Sequence, residues 1–177
     1  MNVDHRPRMD TTMPLEDTGA EFARLLRDHH GIVATVAASY CHDPHDRADL
    51  TQEIAVQLWR AWPKYDRSRA FSTWMYRIAL NVAISAVRSA TLRHRHAVPL
   101  DETLHDLADP APHDAQAEQQ IRALHRFIHA QSPLDRALLL LYLDERSHRD
   151  IAEILGLSET NVATKISRLR QRIRTEL

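Results

Sequence analysis

The sequence predicts an all-α protein of two small helical domains joined by an extended acidic linker. Three observations carry this. The 177 residues include only three glycines amid abundant Ala, Leu and Arg, a composition that favours helix. Apolar residues recur at helical spacing, and no alternating strand pattern stands out. Prolines and acids gather between residues 97 and 117, where Pro99, Pro110 and Pro112 mark an extended stretch.

The elements follow in order. Residues 1–18 read as a polar, frayed arm. Helical periodicity runs from about Ala20 to Tyr40, with a break expected near Gly31. Cys41 to His45, with Pro44, reads as a turn. Asp46 to Trp62 is a helix that Pro63 stops. Lys64 to Arg69 is a loop, and Phe71 to about Thr91 is the next helix, completing a first domain over 19–96. The linker spans 97–117, and a second domain spans 118–177. Its first helix runs from about Gln116 to Ala130. Ser132-Pro133-Leu134-Asp135 supplies an N-cap, a first-turn proline and an acid at the third position, opening a helix to about Leu143. Ser147 and Asp150 repeat the pattern and open a helix to Leu155. Gly156 is placed as a C-cap, and Ser158 caps the last helix.

A net charge of -1 hides a strong segmental asymmetry. From Arg60 to His96 the bases are Arg60, Lys64, Arg67, Arg69, Arg77, Arg88, Arg93 and Arg95, against the single acid Asp66. Residues 97–120 carry Asp101, Glu102, Asp106, Asp109, Asp114 and Glu118 and no Lys or Arg. Residues 158–174 carry Lys165, Arg168, Arg170, Arg172 and Arg174 against Glu159. Such asymmetry indicates partners better than the total does.

The helix from Phe71 has aromatics at its head. On a helical wheel Phe71, Met75, Ile78, Val82 and Ala86 form one core stripe, and Tyr76, Leu80 and Val87 a second apolar flank. Arg77, Asn81 and Arg88 form the polar arc, with Trp74 and Ser85 on its border. Cations bind phosphate and aromatic rings stack on unpaired bases, so this element suits opened DNA. An aromatic on a lone helix is more often packing, and Trp74 alone does not decide. The preceding helix splits into Leu50, Ile54, Leu58 and Ala61 on one side and Asp46, Asp49, Glu53, Gln57 and Arg60 on the other, with Gln52 at the edge. A solvated polar face explains that pattern as well as a docking surface does.

In the second domain, Ile151 to Ser158 joins two helices through a tight turn, with Ala152 and Gly156 small where crossing helices approach. Val162, Ile166, Leu169 and Ile173 form a buried stripe in the last helix. Asn161, Lys165, Arg168 and Arg172 share a narrow arc with Thr164 beside them, which suits a recognition helix in the major groove. The plainer account is a solvated basic face in a bundle.

Taken together, two segments resemble a known family. DRADLTQEIAVQLWRAW followed by FSTWMYRIALNVAISAVR resembles region 2 of bacterial RNA polymerase sigma factors. SPLDRALLLLYLDERSHRDIAEILGLSETNVATKISRLRQRIR resembles region 4. With no room for a further domain between them, the chain is similar to the extracytoplasmic-function group of the sigma-70 family. The resemblance implies that Asp46, Asp49, Gln52 and Glu53 dock on the β′ clamp coiled coil of core RNA polymerase, and that the second domain meets the β flap. It implies that Lys64, Arg67, Phe71, Trp74, Tyr76, Arg77, Asn81 and Arg88 recognise and melt the promoter −10 element. Ser158, Asn161, Thr164, Lys165, Arg168 and Arg172 correspond to the −35 reader. An anti-sigma factor is an implied further partner. Ala163 and Lys165 depart from the family's usual recognition-helix cations, and Lys165 lacks an arginine's bidentate fork, which bears on the −35 sequence read.

Two other classes stay open on the residues alone: a dimeric helix-turn-helix regulator of duplex DNA, and a helical adaptor that binds no DNA. No nucleophile or paired acid–base set points to catalysis, and no cofactor is expected. Twelve histidines raise metal binding, through Cys41, His42 and His45 or through His125 and His129, but structural zinc needs four ligands at coherent spacing. One cysteine excludes an internal disulfide framework and favours a reducing compartment. With no apolar run of membrane length and no signal-peptide core, a cytoplasmic protein without membrane insertion is expected.

Overall fold

The computed structural model describes residues 15–96 and 115–176. Residues 97–114 of the expected linker and 1–14 of the expected arm lie outside the described residues, and 115–117 already belong to a helix. Among the described residues there are eight α-helices and no strand. The first unit holds α1 (Leu15–Asp28), α2 (His30–Tyr40), α3 (Pro44–Ala61) and α4 (Phe71–His96), with a short 3-10 turn at Trp62–Lys64. The second holds α5 (Ala115–Ala130), α6 (Pro133–Leu143), α7 (His148–Leu155) and α8 (Glu159–Glu176).

Local chemistry explains the boundaries. α1 starts at Leu15, ahead of the expected Ala20, and its Phe22 is buried against Trp59 and Trp62 at ring distances of 5.2 and 5.4 Å. The break after α1 falls at His29 rather than Gly31. The Leu25 carbonyl accepts from both the His29 amide at 3.1 Å and the His29 ring at 3.0 Å, and the His30 ring donates to the Arg27 carbonyl at 2.8 Å. Pro44 lies inside α3 at its first turn. Asp43 caps that turn by accepting from the His45 and Asp46 amides at 2.7 and 3.2 Å, and those donors hold its carboxyl below the usual range. The expected caps of α6 and α7 form. Ser132 and Ser147 accept from the Asp135 and Asp150 amides at 3.2 and 3.1 Å, and each hydroxyl donates to the same residue's carboxylate.

Gly156 ends α7 with φ of 67°. A Cβ there would meet nothing within 4 Å, so the glycine is present for its left-handed backbone and not for the close helix approach expected of it. Ala152, also expected to be small for close packing, is buried.

α4 is the central element. It packs on α2 and α3 on one side and on α6 and α7 on the other. Its burial therefore departs from the expected stripe. Met75, Tyr76, Ala79, Leu80, Ala83 and Ile84 are buried, Ile78 and Val82 are half-buried, and Ala86 is exposed. A helix with neighbours on two sides buries the small residues between its two apolar flanks, which a one-sided wheel assigns to an edge. In the other helices the stripes hold: Leu50, Ile54 and Leu58 in α3, and Val162, Ile166 and Leu169 in α8, are buried.

Candidate nucleic-acid interface

The first surface centres on the loop between α3 and α4. Trp62, Tyr65, Phe71 and Trp74 form one aromatic cluster. Trp62 stacks on Tyr65 at 5.3 Å with an interplanar angle of 18°, and Trp74 lies 5.0 Å from Tyr65 and 5.3 Å from Phe71. Trp62 is anchored from below, since its indole N–H donates to the Thr18 carbonyl at 3.1 Å. Phe71 and Trp62 are buried, whereas Trp74 and Tyr65 are partly exposed. The cluster is thus a rigid base with two rings at its rim, and it fixes where the loop cations stand. Arg67 pairs with Glu21 and lies 6.0 Å over the Trp62 ring. Lys64 is exposed. Tyr65 closes the loop by donating its hydroxyl to the Arg69 carbonyl at 2.7 Å. Sequence reasoning passed over Tyr65; its place in an otherwise polar loop after Trp62 and Pro63 was the available clue.

Arg77, Asn81 and Arg88 are exposed and share one arc of α4, as expected. Tyr76 is not on that arc. It is 2% exposed, faces the second unit beneath Arg146, and burial above all pushes its hydroxyl up to about 12. On α3, Asp46, Asp49, Gln52 and Glu53 are all exposed, and Gln57 donates to Glu53 at 2.7 Å. Beside them Val56 and Trp59 are exposed large apolar residues, so this acidic face has a hydrophobic margin. A groove of about 520 Å³ runs between α3 and α4, and its lining brings Glu53 and Gln57 together with Asn81 and Ser85.

The second surface is α8. Asn161, Thr164 and Arg168 are exposed at its N-terminal half, and the Ser158 hydroxyl accepts from the Asn161 amide at 3.2 Å. Lys165 is half-buried and pairs with Asp135 at 3.1 Å. Arg172 is turned back onto its own unit. It bonds Gln131 at 2.8 Å and Glu176 at 3.1 Å and stands 5.4 Å over the Phe127 ring. The arc of the sequence is therefore mixed: Asn161 and Arg168 are exposed, the Thr164 hydroxyl donates to the Thr160 carbonyl at 2.8 Å, and Lys165 and Arg172 are paired. Among the described residues no three His, Cys, Asp or Glu side chains converge as a metal site would require. No helix there is long and apolar enough to cross a membrane.

The geometry defines an all-α protein of two units, the first with an aromatic loop between an acidic and a basic helix face, the second a helix-turn-helix with an exposed polar face on α8. Residues 25–93 match the family model for Sigma-70 region 2, and residues 121–173 that for Sigma-70, region 4. The RNA polymerase sigma-H factor of Pseudomonas aeruginosa is 30% identical over 162 residues, covering 84% of this chain and 81% of that protein. The ECF RNA polymerase sigma factor SigW of Bacillus subtilis is 29% identical over 144 residues, covering 75% and 76%. The chain spans only 40% of the length of another relative, the probable sigma factor RfaY of Xanthomonas campestris, at 29% identity over 88% of this chain. The fold resembles the sigma factor RpoE of Bartonella quintana in complex with the anti-sigma factor NepR, with a TM-score of 0.67, 18% identity, and coverage of 91% of this chain and 96% of that one. This chain belongs to the sigma-70 family, in its extracytoplasmic-function group.

Proposed function

We propose that this chain binds core RNA polymerase in the cytoplasm and directs initiation at particular promoters, with no catalytic activity of its own. The observation that carries the reading is the co-occurrence, in one chain, of the aromatic loop on α4 with a recognition helix on α8. A duplex-only regulator needs the second and has no use for the first. In this reading residues 19–96 bind polymerase and the −10 element, and residues 118–177 read the −35 element.

The chemistry divides by element. The acidic face of α3, with Asp46, Asp49, Gln52 and Glu53, meets the basic side of the β′ coiled coil. Separating a base from its stack costs a few kcal/mol, which a ring at the loop rim offsets by stacking. Trp74 and Tyr65 are placed for that, while Lys64, Arg67, Arg77 and Arg88 hold the backbone and Asn81 offers a hydrogen-bonding edge. Phe71 and Tyr76 act by setting the geometry of the element. In the second unit Ser158, Asn161, Thr164 and Arg168 approach base edges and phosphates, and Lys165 joins them once released from Asp135. Arg172 contributes charge near the helix end. The second unit also meets the β flap. An anti-sigma factor covering these surfaces would hold the chain inactive.

Charge reversal tests the docking face. Asp49→Arg with Glu53→Arg is expected to abolish co-elution with core polymerase while leaving far-UV circular dichroism unchanged. Full retention of binding would reject the assignment of α3.

A further inference from the structure

The corner between α5 and α6 reaches α8 and takes hold of two of its cations. Gln131, the residue after α5, is 5% exposed. Its side-chain amide donates to the Phe127 carbonyl at 2.8 Å, and its side-chain oxygen accepts from Arg172 at 2.8 Å. Asp135, in the first turn of α6, uses both carboxylate oxygens. One accepts from the Ser132 hydroxyl at 2.8 Å and the other from the Lys165 ammonium at 3.1 Å. The Ser132 hydroxyl in turn accepts from the Asp135 amide at 3.2 Å. The cap that starts α6 thus also fixes a carboxylate, and that carboxylate meets the middle of α8.

The two contacts differ in what they remove from the surface. The side-chain oxygen of Gln131 is neutral and leaves the charge of Arg172 in place. The pair that Arg172 makes with Glu176 joins two side chains 51% and 48% exposed, where water and salt loosen it. Lys165 meets a full carboxylate, and the two side chains are only 31% and 25% exposed. Its charge is cancelled where solvent screens the pair less.

Lys165 shares an arc of α8 with Asn161 and Arg168, both exposed, at a spacing of about one helical turn. A duplex backbone that meets those two side chains faces Lys165 as well, and its phosphates compete with Asp135 for the ammonium. A lysine ammonium is a compact charge on a flexible stem, with no planar fork to re-orient, so it can exchange one anionic oxygen for another.

We propose that Asp135 is a positioning residue for the DNA-facing side of α8: its carboxylate stands in for a phosphate, holds Lys165 against α6, and sets how much that lysine adds to binding. The part that concerns DNA rests on the reading under Proposed function; the restraint on Lys165 does not. Affinity for DNA is then discounted by the fraction of chains in which Lys165 is free. Salt loosens the internal pair as well as the phosphate contact, so binding depends on salt less steeply than it does with an unrestrained lysine.

Asp135→Asn keeps the shape of the side chain and an oxygen for the Ser132 hydroxyl while removing the charge. The full chain is assembled with core polymerase, and the probe is the duplex that the wild-type assembly enriches from a pool of random upstream sequence. Asp135→Asn is expected to raise affinity for this duplex about ten-fold if paired lysines outnumber free ones about ten to one. It is also expected to steepen the slope of log affinity against log salt by up to about 0.9, the share of one phosphate. Adding Lys165→Met is expected to abolish both gains. Ser132→Ala, which keeps the carboxylate, is expected to lower Tm with no gain in affinity, separating the restraint from the cap. Thermal melts of wild type, Asp135→Asn, Lys165→Met and the double variant close a cycle without DNA, and they are expected to show coupling between the two residues. Additive melts overturn the restraint. Coupled melts, with an affinity and salt slope that Asp135→Asn leaves unchanged or lowers, overturn its role in binding. If the wild-type assembly enriches no sequence, the functional reading fails and the binding half falls with it, while the melts still decide the restraint.

Discussion

The aromatic loop of the first unit and helix α8 of the second, the two surfaces proposed to meet DNA, are built with opposite architecture. At the loop, the presented rings are continuous with the core. Trp74 touches Tyr65, Phe71 and Trp62, and Trp62 touches Phe22. On α8, Asn161, Thr164 and Arg168 stand on the side away from Val162, Ile166 and Leu169. Strand opening needs a rigid wedge, because a ring that yields cannot replace a lost stacking partner. Reading bases in an intact groove needs side chains that adjust. Under the proposed function, activity and stability are therefore coupled in the first unit and separable in the second.

The largest effect is expected at that coupling. Trp74→Ala should lower unfolding free energy by about 2 kcal/mol, below the full cost of a buried tryptophan because the ring is only partly buried. It should also reduce transcription from intact promoter DNA far more than from DNA already melted at the −10 position. Equal loss on both templates would show that Trp74 serves packing alone and would break the comparison. Chemical denaturation and runoff assays on the two templates supply the measurements. Next is the cap of the recognition helix. Ser158→Ala should cost about 1 kcal/mol, since the Asn161 amide loses its acceptor. A Tm shift in circular dichroism would record it.

A pH effect separates the boundary between the units from both surfaces. The His129 ring lies 3.8 Å from that of His42, across the boundary. Burial first, and then the positive neighbours His42, Arg136, His125 and Arg47, lower the His129 pKa to about 4 from 6.5. The unfolded chain then takes up this proton before the folded one does. Its contribution to stability is complete above pH 6.5 and erodes as pH falls from 6.5 toward 4. Thermal melts across that window should show a decline that His129→Gln reduces. An unchanged slope in the variant would assign the decline to other groups. The smallest stability effect is expected for Arg168→Ala, within about 0.5 kcal/mol of wild type. It should nevertheless lower the salt dependence of −35 duplex binding by about one phosphate contact. A stability loss as large as that at Trp74 would erase the distinction between the two surfaces.

Legibility in the sequence followed the range of the contacts involved. The helix-turn-helix is local: Ser147, Asp150, Gly156 and Ser158 act on residues within a few positions, so the caps and the α8 stripe could be read directly. The start of α1 could not, because it depends on Phe22 meeting Trp59 and Trp62 some forty residues away. Nor could the α4 stripe, whose buried Ala79 and Ala83 reflect a neighbour on each side. The exposed residues of α3 and α4 were visible as charge on a wheel, which also put Tyr76 on an apolar flank and Trp74 at the polar border; the family resemblance alone grouped the two. The packing of the second unit adds that Tyr76 is buried beneath Arg146. Arg136 and Arg146 went unremarked because each acts across the linker.

The account stands most directly on runoff transcription by core polymerase with and without this chain, with start sites mapped across a library of upstream sequences. It predicts initiation only when the chain is added, from start sites sharing one −35 and one −10 sequence, and lost on Asp49→Arg with Glu53→Arg. Initiation that is absent, or indifferent to the upstream sequence, would contradict it.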